Sequence, residues 1–309
     1  MQNAMTTRHT PVLLNEVITN LNLPKGGRII DCTLGDGGHS EEFLKIIGPK
    51  GKLLGIDADP ESLLRAKQYL YNYTDQTTFV RDNFRDLEKV AKENGFEGAD
   101  GILMDLGWSS PQFAERNRGF SFLSNEPLDM RYSGGMGETM ATAGDIVNTY
   151  SEVDLEHLFK FFGEEDLAEE ITEEIIEQRK IKRIETSGEL MEVILKAYRK
   201  KLKTDKEVPW VGGIHPATKV FQALRIEVNH ELEVLKQALP QAVGLLALGG
   251  RLAVITFHSL EDRIVKQFFQ KEEHKTLNII TKKPVIATEE EIKSNPRSRS
   301  AKLRVIEKI

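Results

Sequence analysis

The sequence predicts an α/β fold: a mostly parallel sheet of seven strands, with a helical domain inserted after the fourth strand. Three observations predict it. From residue 28 to 106, short apolar runs alternate with amphipathic stretches, the pattern of a sheet covered on both faces. After Pro111 the alternation stops, and residues 115–213 carry helical periodicities without a convincing strand. Strand-like runs resume at 250–257 and close the chain at 277–280 and 302–306.

In order, Thr10-Pro11 followed by apolar residues at helical spacing reads as a capped helix start with proline at its first position. Residues 28–33 read as a strand, 40–47 as a helix, 52–56 as a strand and 60–70 as a helix. Residues 78–80 form a short strand leading into Asp82-Asn83-Phe84, and 101–106 a fourth strand that ends on Asp105 and Leu106. Within the insertion, 154–162, 166–179 and 187–201 are helical. Residues 217–248 are helical again, and 260–269 form a helix after the strand at 250–257. The expected division is therefore 1–114 with 214–309 as one domain and 115–213 as the inserted helical domain.

Composition excludes several classes. The single cysteine, Cys32, rules out an internal disulfide framework and a thiolate zinc site, and suits a reducing compartment. No apolar run approaches the roughly 20 residues of a membrane span, so the cytoplasm is the expected location and no membrane partner is expected. No carboxylate cluster at metal-ligand spacing stands out, and no metal is assigned.

The chemistry starts at Asp31-Cys32-Thr33-Leu34-Gly35-Asp36-Gly37-Gly38-His39-Ser40, where a strand runs into a glycine-rich turn and a helix start. One element later a second strand ends on Asp57, placed to accept both hydroxyl protons of a ribose. The turn fits a dinucleotide fingerprint poorly, because Ser40 stands where a third glycine would pack helix on strand. A donor of the S-adenosylmethionine type carries no pyrophosphate and needs a looser cradle, so the imperfect fingerprint favours a methyl donor over NAD. A nicotinamide-linked dehydrogenase and an RNA-binding scaffold with an inactive nucleoside fold are the alternatives.

A second motif, Asp105-Leu106-Gly107-Trp108-Ser109-Ser110-Pro111-Gln112-Phe113, follows the fourth strand, where the reacting group meets the cofactor in an open α/β sheet. An exocyclic amine delocalises its lone pair into the ring and needs acceptors to position it, and an aromatic face can stack on an extruded base. Phe120, Phe122 and Trp108 are candidate stacking residues; a turn packed on the insertion is the structural alternative. His258 and Ser259 could reach a substrate phosphate or cap the following helix.

Net charge is −6, but its distribution is uneven. From Glu152 to Glu177 there are eleven acidic residues against one lysine, and from Gln178 to Lys206 ten basic residues against four acidic ones. The basic block, with Arg297, Arg299, Lys302 and Arg304, is expected to meet RNA phosphates through at least one cluster.

Beyond these motifs, the segments His9-Thr10-Pro11-Val12-Leu13-Leu14, Arg118-Gly119-Phe120-Ser121-Phe122 and Pro127-Leu128-Asp129-Met130-Arg131 stand out, as do 215–226, 257–266 and Asn295-Pro296-Arg297-Ser298-Arg299-Ser300. Together with the glycine turn and the Asp105 loop, and in this order along nearly the whole chain, they resemble the bacterial 16S rRNA cytosine-N4 methyltransferase family. The resemblance implies a Rossmann-like class I methyltransferase sheet and S-adenosylmethionine as methyl donor. It implies methylation of a cytosine N4 in the decoding region of 16S rRNA, tuning the ribosomal P site, with 16S rRNA or the small ribosomal subunit as partner. It carries donor contacts onto Gly37, Gly38, His39, Asp57, Phe84, Asp105 and Gln112, and makes Asp105 the candidate catalytic residue. Trp108 departs from the family, which generally has a small residue there.

Overall fold

The computed structural model describes residues 10–106, 117–133, 140–208, 210 and 214–309. Trp108, Ser109, Ser110, Pro111, Gln112 and Phe113 lie outside the described residues. The chain divides into two compact units, Met1–Gly107 with Leu232–Ile309, and Trp108–Glu231. The boundary after Glu231 differs from the expected one at 213/214, and it places the helix Thr218–Asn229 in the second unit.

The chain opens with α1 (Leu14–Leu21), β1 (Arg28–Asp31), α2 (Gly38–Ile47), β2 (Lys52–Asp57), α3 (Pro60–Tyr69), β3 (Thr77–Arg81), α4 (Leu87–Glu93) and β4 (Ala99–Asp105). The second unit contributes α5 (Ala143–Thr149), α6 (Glu152–Phe161), α7 (Ala168–Ile181), α8 (Ser187–Leu202) and α9 (Thr218–Asn229). The chain returns through α10 (Glu231–Leu245), β5 (Leu246–Thr256), α11 (Ser259–Glu272), β6 (Leu277–Ile279), β7 (Val285–Ile286), α12 (Glu289–Ser294) and β8 (Lys302–Lys308). No described helix is long and apolar enough to cross a membrane.

The sheet runs β3-β2-β1-β4-β5-β8-β6, with β7 also on β8. Strands β1 to β5 pair in parallel, and β8 lies antiparallel to β5. Both β6 and β7 pair antiparallel with β8, β6 along Ile306–Lys308 and β7 along Lys302–Leu303. The seven expected positions are filled, the last shared by two short strands. The two-residue β7 is too short to leave a periodicity in the sequence. The order of the strands along the sheet turns back between β1 and β4, which run parallel.

Neighbouring residues on each strand enter opposite cores. Ile29, Leu53, Leu103, Ala253, Ile255 and Val305 face α1, α2 and α3, while Ile30, Leu54, Ile102, Met104, Leu252, Val254 and Ile306 face α4, α10 and α11. Burial on both faces is why the strands read as unbroken apolar runs. The first helix starts later than Pro11 implies. Leu13, fully buried, takes a left-handed conformation (φ 53°), so regular helix begins at Leu14.

In the second unit the helices close over their own core, from Phe120 and Leu128 through Phe159, Ile171, Ile194 and Leu224. Reciprocal capping boxes start α5 (Thr142 with Asp145) and α8 (Thr186 with Glu189).

Candidate donor site at the strand tips

At the end of β1, Asp31 is 1% exposed and acts as a scaffold rather than a ligand-facing group. Its carboxylate accepts a 2.6 Å hydrogen bond from the Ser40 hydroxyl and one from the Thr33 N–H. Burial pushes its pKa up to about 6, with the Ser40 and Thr33 bonds opposing the shift. Ser40 is itself fully buried, so the residue in place of a third glycine ties α2 to the tip of β1. The Thr33 hydroxyl in turn accepts from the Asp105 N–H at 2.7 Å, linking the turn to the tip of β4.

Gly37 caps α2 at φ 75°, and a Cβ there would stand 2.9 Å from Leu70 Cδ1. At Gly38 a Cβ would meet Pro11 Cγ at 2.6 Å. Both positions need glycine, one for its backbone angle and one for a close approach. Gly38 and His39 begin α2, whose first N–H groups have no partner within the helix and form an anion-attracting end.

His39 is buried, and its Nε2 lies 3.0 Å from the Val12 carbonyl oxygen. A carbonyl only accepts, so Nε2 carries the proton and Nδ1 presents a lone pair. That lone pair sits 3.8 Å from Asp105 Oδ2. Burial lowers the His39 pKa to about 4, opposed by the Val12 bond, so the ring is neutral at neutral pH and the contact is not an ion pair. Two acceptors at this spacing suit a shared donor such as an ammonium group.

At the tip of β2, Asp57 accepts from Gly35 N–H and Asp59 N–H, both at 2.8 Å. Each oxygen thus holds one backbone N–H, which fixes the carboxylate at the strand tip. Beyond β3, Asp82 accepts from Asn83 N–H, and Asn83 from Arg85 N–H. These bonds shape the turn that carries Phe84, half-buried against the core. Of the sequence-expected contacts, Gly37, Gly38, His39, Asp57, Phe84 and Asp105 stand at the carboxyl ends of adjacent strands, and Gln112 lies outside the described residues. The set fits a ligand with a carboxylate, an ammonium, a vicinal diol and a flat apolar ring, which is an amino-acid-bearing nucleoside such as S-adenosylmethionine.

Sequence reasoning did not find Arg297 here. Burial pulls its guanidinium down from the ordinary value, and the neighbouring Asp105 charge offsets part of that shift. Its local sequence reads as a basic cluster suited to phosphate, and nothing there points to Asp105. Arg304 turns inward as well and makes a bidentate pair with Asp262, while the partly exposed Lys302 lies 3.7 Å from the same carboxylate. After β5 the capping alternative describes the motif. Glu261 accepts from Phe257 N–H and His258 N–H at the start of α11, with His258 Nε2 3.1 Å from its other oxygen.

In the second unit, Phe120 is buried at 4% exposure and stacks on Tyr132, which makes it core. Phe122 is half-buried and stacks on His215 at 4.5 Å, with Trp210 edge-on to the same imidazole. Part of the basic block pairs with the acidic one: Lys196 and Lys200 with Glu174, and Lys201 with Glu170. Lys182 pairs with Glu189 inside the basic block, and Arg183 with Asp145 outside both. The buried Glu174 carboxyl is pushed up by burial, and Lys196 and Lys200 outweigh this to hold it below its usual range.

The sequence pattern of the MraW methylase family matches residues 6–309. Ribosomal RNA small subunit methyltransferase H of Clostridioides difficile (strain 630) is 43% identical over 321 residues, covering 99% of this chain and 100% of that protein. The protein of the same name from Clostridium botulinum (strain Loch Maree / Type A3) is also 43% identical over 321 residues, with the same coverage of both chains.

Proposed function

The chain belongs to the MraW methylase family, and from that premise we propose that it methylates the exocyclic N4 of a cytosine in 16S rRNA, with S-adenosylmethionine as donor. The observation that supports the site assignment most directly is the convergence of the α2 start, Asp57, Phe84 and Asp105 at four neighbouring strand ends. When bound, the donor supplies an electrophilic methyl on a sulfonium sulfur.

The protein's own groups bind, orient and exclude water. The N–H groups opening α2 receive the donor carboxylate, and His39 Nδ1 with Asp105 Oδ2 receive its ammonium. Asp57 accepts from the ribose, Phe84 lies along the adenine, and Gln112 is a further donor contact. Because the methyl is already activated, alignment and water exclusion supply most of the rate. Asp105 positions the N4 amine by accepting one of its protons. That proton becomes acidic once the N–CH3 bond forms, and Asp105 takes it as general base. The helical insertion, 115–213, recognises the RNA. The target base lies in the decoding region, where its methylation tunes the P site, and the enzyme acts in the cytoplasm on 16S rRNA or the small subunit.

Labelled-methyl transfer to undermethylated small subunits, followed by mass spectrometry of the rRNA, tests this reading. N4-methylcytosine is the expected product; methyl on a C5 or a ribose, or no transfer, overturns it. For Asp105, Asp105→Asn at saturating donor is expected to lose turnover. Near-normal turnover with intact donor affinity removes the general-base role.

A further inference from the structure

The segment that precedes α1 is held by the far end of the chain. Leu13 N–H donates to Glu291 Oε1 at 2.8 Å, across 278 positions, and Asn295 Nδ2 donates to the Thr10 carbonyl at 3.1 Å, across 285. Between these two anchors lie the groups that touch the donor turn. The Pro11 ring closes on Gly38, and the Val12 carbonyl accepts the His39 Nε2 proton. Leu13 itself is buried in a left-handed conformation that leucine disfavours, which persists only where surrounding contacts over-determine it.

The anchoring segment carries hydrogen bonds of its own. Glu291 sits in the first turn of α12, capped by Thr288, and its carbonyl accepts from Asn295 N–H. Asn295 is 8% exposed, and its carbonyl accepts from the hydroxyl of the fully buried Ser298.

We propose that Glu291 and Asn295 are positioning residues for methyl-donor binding, clamping residues 10–13 so that the Val12 carbonyl holds His39 in its Nε2–H form. The inference rests on the donor reading given above. With Nε2 protonated, Nδ1 and Asp105 Oδ2 are two acceptors 3.8 Å apart, ready for an ammonium. If Val12 is released, the proton can move to Nδ1, and His39 then donates to Asp105 in competition with the ligand. Donor affinity thereby depends on side chains that do not touch the donor.

The test uses full-length Glu291→Ala, Glu291→Gln and Asn295→Asp. Glutamine keeps an oxygen that can accept from Leu13, whereas aspartate keeps the shape of Asn295 and loses its donor. Calorimetric Kd values for S-adenosylmethionine and S-adenosylhomocysteine are expected to rise about tenfold in Glu291→Ala and Asn295→Asp, the effect of one lost hydrogen bond, and to stay near wild type in Glu291→Gln. The donor KM should rise in step, with kcat at saturating donor nearly unchanged. Nitrogen-15 shifts of the His39 ring should report one tautomer in wild type and Glu291→Gln, and a mixture in the other two. Unchanged Kd and tautomer in folded Glu291→Ala overturn the clamp, as does a Glu291→Gln protein as impaired as Glu291→Ala. A wild-type protein that binds neither ligand overturns the donor reading instead, while the ring shifts still test the clamp.

Discussion

Asp31 and His39, eight positions apart around the donor turn, titrate in opposite senses. His39 is held at about 4, below its unfolded value near 6.5, so its contribution is complete above pH 6.5 and is lost as the pH falls toward 4. Asp31 is held at about 6, above its unfolded value near 3.9, so its contribution is complete below that value and is lost as the pH rises through 6. Each is of order 3 kcal/mol, and between pH 4 and 6 they offset one another. Urea unfolding across this range is expected to show wild type gaining about 3 kcal/mol over Asp31→Asn as the pH falls from 6 to 4. A pH-independent difference would mean that Asp31 titrates normally. At Gly37 the left-handed backbone and the nearby Leu70 act together. Gly37→Ala is expected to cost about 1–2 kcal/mol in the same assay.

Pairing of α7 with α8 alters the meaning of a sequence signal at the level of elements. The basic residues of α8 lie beside the acidic residues of α7, and the field a phosphate would feel is reduced accordingly. Lys200→Ala with Lys201→Ala is therefore expected to leave affinity for a 16S rRNA fragment within about twofold, with little change in salt dependence. A tenfold loss in filter binding would show that this block meets RNA despite its carboxylate partners. Stability should respond unequally along the same interface. The Glu170–Lys201 pair is solvent-screened, and Lys201→Ala is expected to leave stability nearly unchanged in urea unfolding. Glu174 is buried, so removing Lys196 and Lys200 together leaves a carboxylate without those partners, at about 1–3 kcal/mol in urea unfolding.

For the whole molecule, the parallel sheet sets the site by topology. Strand order reverses between β1 and β4, and the crevice outside their carboxyl ends is where ligands bind in open α/β sheets. The donor turn is then assembled from distant parts of the chain: residues 10–13, the tips of β1, β2 and β4, and the stretch from Glu291 to Arg297. Saturating S-adenosylhomocysteine should consequently raise the unfolding midpoint of the first unit and slow hydrogen exchange at residues 33–40 and 291–298 together. Protection confined to 33–40 would show that the C-terminal segment does not move with the turn.

The sequence by itself determined the sheet, its interruption and most of the donor turn. Those features are written in local periodicity, in glycines whose backbone angles are local, and in carboxylates that end strands. Even the odd residue at Ser40 was legible as a departure, although its reason, the bond to Asp31, was not. Only the tertiary structure decided what pairs at long range. It set Lys196, Lys200 and Lys201 of α8 against carboxylates of α7, buried Phe120 while leaving Phe122 half-exposed, and brought the buried Arg297 under the influence of the Asp105 charge. It also fixed the His39 tautomer through a carbonyl held from nearly 280 positions away. A charge or a ring has the same sequence signature whether it faces solvent, RNA or its own chain. Its role is set by what the fold brings within a few ångströms of it.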